Sequence, residues 1–168
     1  EDPVKIRDLS AELNGIYGFY TNDLSHGRND AHILVATDTA QGGITAKLLK
    51  KHLISKGIGN VVTLNGNQLS IANARFFSVG IANVLAKFQD IIEGYQHDNY
   101  DICFNLAGGF KALQGIFNVI GMFYADEILY VFEGSSELIK IPKLPISIDS
   151  AQIKPHAVPL AMMNEGLS

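Results

Sequence analysis

The sequence predicts an α/β protein: a three-layer sandwich with a mainly parallel central sheet and a C-terminal edge hairpin. Three observations carry this. Segments of helical periodicity alternate with short apolar runs. Glycine, asparagine and other turn residues punctuate the junctions. The run at 100–106 is almost entirely apolar, the pattern of a strand covered on both faces and so central. The 168 residues suit one domain, and a hydrophobic share of 47% against 18% charged supplies its core.

The elements follow in order. Ile6, Leu9, Leu13, Ile16 and Tyr17 recur at helical spacing and predict one opening amphipathic helix. Residues 22–30 are polar and form a loop, and 32–37 form the first strand. Asp38 and Thr39 then stand where a helix cap belongs, ahead of a helix whose apolar face is Ile44, Leu48, Leu49, Leu53 and Ile54. Residues 61–64 form a second strand. A long helix over 74–95 turns Phe76, Phe77, Ile81, Val84, Leu85, Phe88 and Ile92 inward. The third strand, 100–106, passes through Ala107-Gly108-Gly109 into a helix over 110–124. Residues 128–132 form a fourth strand. Proline-bounded pieces at 138–142 and 144–146 make an edge hairpin or extended tail. Residues 1–148 form the domain and 149–168 a C-terminal tail.

Composition narrows the function. A formal net charge of -4 argues against general binding of genomic nucleic acid, although one basic pocket on an acidic protein is compatible with it. Cys103, the single cysteine, excludes an intramolecular disulfide and a cysteine-based zinc site, and its apolar setting predicts a buried strand residue. His26, His52, His97 and His156 lie in polar or terminal settings and read as surface residues. His32 opens a strand. Their scatter gives no metal site, and no cofactor is implied. No uninterrupted apolar run reaches the length of a membrane span.

In open α/β sheets ligands bind beyond the carboxyl ends of the strands. Two loops there carry chemistry. One holds Thr37, Asp38 and Thr39. In the other, Asn105 closes a strand, Gly108 and Gly109 leave the backbone accessible, and Lys111 falls in the first turn of a helix. A cation opposes the helix dipole there unless an anion joins it. Asn105 offers both a donor and an acceptor to a base or ribose. On spacing alone a plain strand-to-helix turn with a solvated lysine accounts for this loop equally well. Glu133, after the fourth strand, reads equally as a contact residue or as a surface carboxylate.

The stretch Asn105-Leu106-Ala107-Gly108-Gly109-Phe110-Lys111-Ala112-Leu113 resembles the signature turn of CRISPR-associated Rossmann-fold (CARF) proteins, sensors of cyclic oligoadenylate messengers. Ala36-Thr37-Asp38-Thr39 upstream, and Gly121-Met122, Tyr130-Val131-Phe132, Glu133-Gly134-Ser135-Ser136 and Ile141-Pro142-Lys143-Leu144-Pro145-Ile146 downstream, follow the same family in order. The resemblance implies a Rossmann-like fold and a homodimer that binds a cyclic oligoadenylate across its two-fold axis, with cyclic tetra-adenylate the first candidate. The ligand residues it implies are Asn105, Ala107, Gly108, Gly109, Phe110 and Lys111, with Thr37, Asp38, Thr39 and Glu133 beside them. It also implies a cytoplasmic domain that controls an effector segment outside this chain, a membrane-spanning helix in the inner membrane being one family arrangement. The alternative is a metal-independent ring nuclease that degrades the messenger. Two features depart from the family. Its first strand, which ends in a Gly-Thr-Ser-like loop, is not found ahead of the opening helix. Ala107 stands where relatives carry a hydroxyl, which weighs against cleavage.

Overall fold

The computed structural model describes residues 2–66, 69, 74–109, 111–132, 134–135, 137–147 and 149–158; at 74–78, 150 and 153 it describes the backbone only. The predicted core positions Phe76 and Phe77 therefore lie outside the described side chains. The fold is a mixture of helices and short strands, several of them parallel.

The opening helix is two helices. α1 (Pro3–Arg7) ends at Asp8, and α2 (Ala11–Phe19) restarts after Ser10, whose hydroxyl accepts the Leu13 amide at 3.1 Å. Ser10 is extended, and its side chain gives the backbone a partner that a continuous helix would have denied it. Leu9 falls in the break and is exposed, contrary to its expected core position.

β1 (Ala31–Ala36), α3 (Ala40–Ser55) and β2 (Asn60–Asn65) form the first unit, and β2 runs parallel to β1 in continuous register from Ala31↔Asn60 to Ala36↔Asn65. α3 buries Ala46 and Leu53 and packs Leu49 inward, whereas Ile44, Leu48 and Ile54 face outward, so the expected apolar face is only half used. Leu53, Ile58 and Val61 join Ile6, Leu13, Ile16 and Tyr17 of α1 and α2 in one core cluster.

α4 (Ala74–His97), β3 (Cys103–Asn105), α5 (Lys111–Tyr124), β4 (Glu127–Val131) and β5 (Leu138–Ile141) form the second unit. β4 lies parallel to β3, and β5 closes an antiparallel edge hairpin on β4. Phe88, Phe104 and Phe117 meet edge to face, with ring centroids 5.3 Å, 5.7 Å and 6.4 Å apart. This geometry suits the quadrupoles of the rings, and the trio anchors a cluster that includes Val84, Ile92, Ile120 and Ile128. A four-residue helix, α6 (Ser150–Ile153), lies near the end of the described chain.

The main difference from expectation is the sheet. Among the described residues it is not one sheet but two, β1-β2 and β3-β4-β5. The segment expected as the central strand pairs only with β4, and regular pairing is confined to Cys103–Asn105. A cleft of about 860 Å³ separates β1 from β3, with residues of both strands on its walls. Cys103, expected to be buried, borders this cleft and is exposed. Even so, surrounding protein and the Glu127 carboxylate push its thiol up to about 12, against a smaller opposing effect of Lys140.

Candidate functional site

α2 sets the direction of the cleft. Glu12, Gly15, Ile16, Phe19 and Tyr20 face it, a single helical stripe at the i, i+3, i+4, i+7, i+8 positions. Glu12 lies at the carboxyl end of β3, where its main-chain oxygen accepts from Asn105 Nδ2 at 3.2 Å. Tyr20 lies at the amino end of β1, where it reaches Asp30 and His32. β1 and β3 therefore both run antiparallel to α2, and their carboxyl ends share one mouth of the cleft.

Five of the sequence-predicted residues line that cleft: Thr37, Thr39, Asn105, Gly108 and Gly109. Thr39 is the N-cap of α3, accepting the Gly42 amide at 3.0 Å, and its hydroxyl also pairs with that of Thr37 at 3.0 Å. Asp38 is exposed and does not line the cleft; its amide is held by the Leu69 carbonyl at 3.1 Å. Ala107 is buried, and Lys111 opens α5 on the exposed side, so neither lines the cleft. Phe110 and Glu133 lie outside the described residues.

The turn after β3 is built from inside. The Asn105 amide donates to Glu12 and accepts from the Ala107 amide at 3.1 Å, which locks turn and helix together. One donor and one acceptor of that side chain are thereby committed, and one of each remains. Gln114, which the sequence did not single out, donates from α5 to the carbonyls of Leu106 at 3.1 Å and Gly108 at 3.4 Å. Gly109 has φ +99 with open space where a side chain would stand, so only glycine fits this backbone comfortably. Gly108 serves otherwise: the Glu12 carboxyl group fills the volume a Cβ would take. A carboxylate therefore sits beside the start of α5, where free amides and the positive dipole end favour an anion. No local signal in the helical pattern around Glu12 marks it for this place.

The far end of the cleft holds a second polar group. The Tyr20 hydroxyl donates to Asp30 Oδ2 at 2.7 Å and lies 2.9 Å from His32 Nε2. With its single proton given to the carboxylate, the phenol oxygen is left to accept from His32, which carries its proton on Nε2. Burial, reinforced by Asp30, raises the Tyr20 pKa, and burial lowers that of His32. This trio ties α2 to the loop entering β1, at the amino ends of the strands and away from the ligand-binding side of an α/β sheet. His52, expected at the surface, is half-buried, with Nε2 3.0 Å from the Tyr17 hydroxyl.

Among the described residues no group of three or more histidine, cysteine or acidic side chains is placed to hold a metal ion, and no helix is long and apolar enough to cross a membrane. No curated protein matches the chain. A family model described as "CRISPR-associated protein (Cas_APE2256)" matches residues 7–144, which takes in α2, both sheets and the mouth of the cleft. The chain belongs to this family of CRISPR-associated proteins.

Proposed function

We propose that this chain is a CARF-type sensor in CRISPR defence, binding a cyclic oligoadenylate across a homodimer and controlling an effector segment outside the chain. The two sheets are read as the halves of one Rossmann-like three-layer sandwich. The observation that carries the reading is the meeting of two loops at one mouth of the cleft. The Asn105–Gly109 turn and the Thr37–Thr39 loop both end there, in a chain of a CRISPR-associated family. The amides at the start of α5 meet phosphate, the remaining donor and acceptor of Asn105 meet a base or ribose, and Lys111 adds charge from the rim.

A cyclic ligand with two-fold symmetry suits a two-fold dimer, each copy presenting the same turn. Exposed apolar side chains supply material for such a contact: Ile44 and Leu48 on α3, and Val119 on α5. Focusing positive potential in one mouth accommodates a small anionic messenger on a protein of net charge -4.

Calorimetric titration with cyclic tetra-adenylate and cyclic hexa-adenylate tests the proposal. Binding of one ring per two chains is expected, weakened and made less salt-dependent by Lys111→Ala. Binding of neither ring overturns it. Linear products on prolonged incubation would replace the sensor with the ring nuclease.

A further inference from the structure

Three separate features place the Glu12 carboxyl group. Ser10 caps α2 and fixes where its first turn begins. The Glu12 main-chain oxygen accepts from the Asn105 amide, and Gly15 leaves that amide its room, since a Cβ on Gly15 would collide with Asn105 Oδ1. Gly108 does the same for the carboxyl group itself, because a Cβ there would collide with Glu12 Cδ and Oε1. Glu12 is half-buried, yet among the described residues no hydrogen bond or ion pair takes up its carboxylate. A carboxylate drawn out of water without a donor adds nothing to the stability of the fold. What it can act on is whatever enters the mouth.

A carboxylate only accepts hydrogen bonds, and the ionised oxygens of a phosphate do likewise. The two groups therefore share no bond, and their repulsion grows in proportion to the charge on the phosphate. A phosphodiester within a ring carries one negative charge. A terminal phosphate monoester carries about 1.5–2 near neutral pH, because its second proton leaves at about pH 6. No other described charge repeats this arrangement. Arg7 and Asp8 at the end of α1, Asp38 before α3, Lys111 at the start of α5 and Glu137 before β5 do not line the cleft. Asp30 and Asp101 line it, but they precede β1 and β3 and so lie at its opposite end.

We propose that Glu12 is a specificity-determining residue of the mouth, admitting the singly charged phosphodiesters of a closed ring and selecting against linear oligoadenylates that end in a phosphate monoester. The inference rests on the reading of the mouth as a cyclic oligoadenylate site. It lets the chain tell the intact messenger from its opened, hydrolysed form without touching more of the ring. The device is a repulsive one: Glu12 weakens both ligands, and weakens the wrong one more. One charge at a helix start changes affinity by a factor of about 2–5. A second charge on the ligand phosphate is therefore disfavoured by a further ~2–5-fold.

Calorimetric titration of the full chain with three matched ligands tests it. They are cyclic tetra-adenylate, linear tetra-adenylate ending in a 2′,3′-cyclic phosphate, and linear tetra-adenylate ending in a 3′-phosphate. Each has one phosphate per nucleotide, and only the last carries a monoester. Wild type is compared with Glu12→Gln and Glu12→Ala, both of which spare the main-chain bond to Asn105. At about pH 7.5 the ratio of affinities between the two linear ligands is expected to shift toward the 3′-phosphate by ~2–5-fold in both variants. At about pH 5.5, where the monoester holds its second proton, the variants and wild type should show the same ratio. A ratio unchanged in both variants, with the ring still bound, overturns the role of Glu12 and leaves the sensor reading standing. A shift in Glu12→Ala alone assigns the effect to shape rather than charge and overturns the proposal as well. Failure of all three ligands to bind the wild-type chain overturns the sensor reading and this inference with it.

Discussion

The two halves that face each other across the cleft are finished to different degrees. The β3-β4-β5 half closes on its own aromatic trio, and Phe104, on the strand bordering the cleft, is only 6% exposed. The β1-β2 half packs Leu34 and Val61 against α1 and α2 and lends Ile33 and Leu64 to the aromatic cluster, yet leaves apolar residues uncovered, among them Val35, on the strand bordering the cleft, at 36% exposed. Strands of the same apolar character therefore differ in what lies over them. Burial follows from neighbours supplied by other parts of the chain, not from the apolar character of the strand itself.

Equilibrium urea unfolding can break that comparison. Phe104→Ala should cost about 3–5 kcal/mol, the usual range for emptying an aromatic site in a packed core. Val35→Ala, on the open strand, should cost less than about 1 kcal/mol. Equal losses would mean that both edges are covered in solution. A smaller effect separates the halves by pH. His32 has its pKa lowered by burial, so the unfolded chain binds a proton more readily than the folded one. The stabilisation is complete above the unfolded value of about 6.5 and is lost as the pH falls through the folded value. Stability should therefore decline as the pH is lowered from neutral into the acid range, with the His32 contribution removed in His32→Gln. A pH profile unchanged by that substitution would show that His32 is solvated in the folded protein. The smallest effect concerns the mouth, where the halves meet. Replacing Glu12 by Gln removes a negative charge from the start of α5, a change of about 0.3–1 kcal/mol or a factor of ~2–5 in affinity for an anion. Tighter cyclic tetra-adenylate binding in Glu12→Gln is the expected calorimetric result, and weaker binding would make Glu12 part of the ligand's own contacts.

Much of the chain's local structure is legible in its residues. Thr39 caps α3, the glycine turn links β3 to α5, and the periodic apolar positions of α4 at Val84, Phe88 and Ile92 are buried. Each of these depends on neighbours within a few turns. The break at Ser10 is not legible because one side-chain hydrogen bond outweighs a continuous periodic pattern. The outward Ile44 and Leu48 depart from expectation for a different reason. α3 is apolar on more than one face, and periodicity cannot say which face meets the sheet.

The sequence by itself determined where most helices and strands fall, and that the chemically notable loops follow β1 and β3, because hydrophobic period and turn chemistry are short-range. Its ordered motifs also carried the CRISPR-associated resemblance. Only the tertiary structure decided that the described strands fall into two sheets, that Cys103 borders a cleft, and that Glu12 stands where Gly108 leaves room. Those outcomes depend on pairings between segments far apart in the chain. A strand's residues encode its tendency to pair, but the identity of its neighbours is settled only when the whole chain packs.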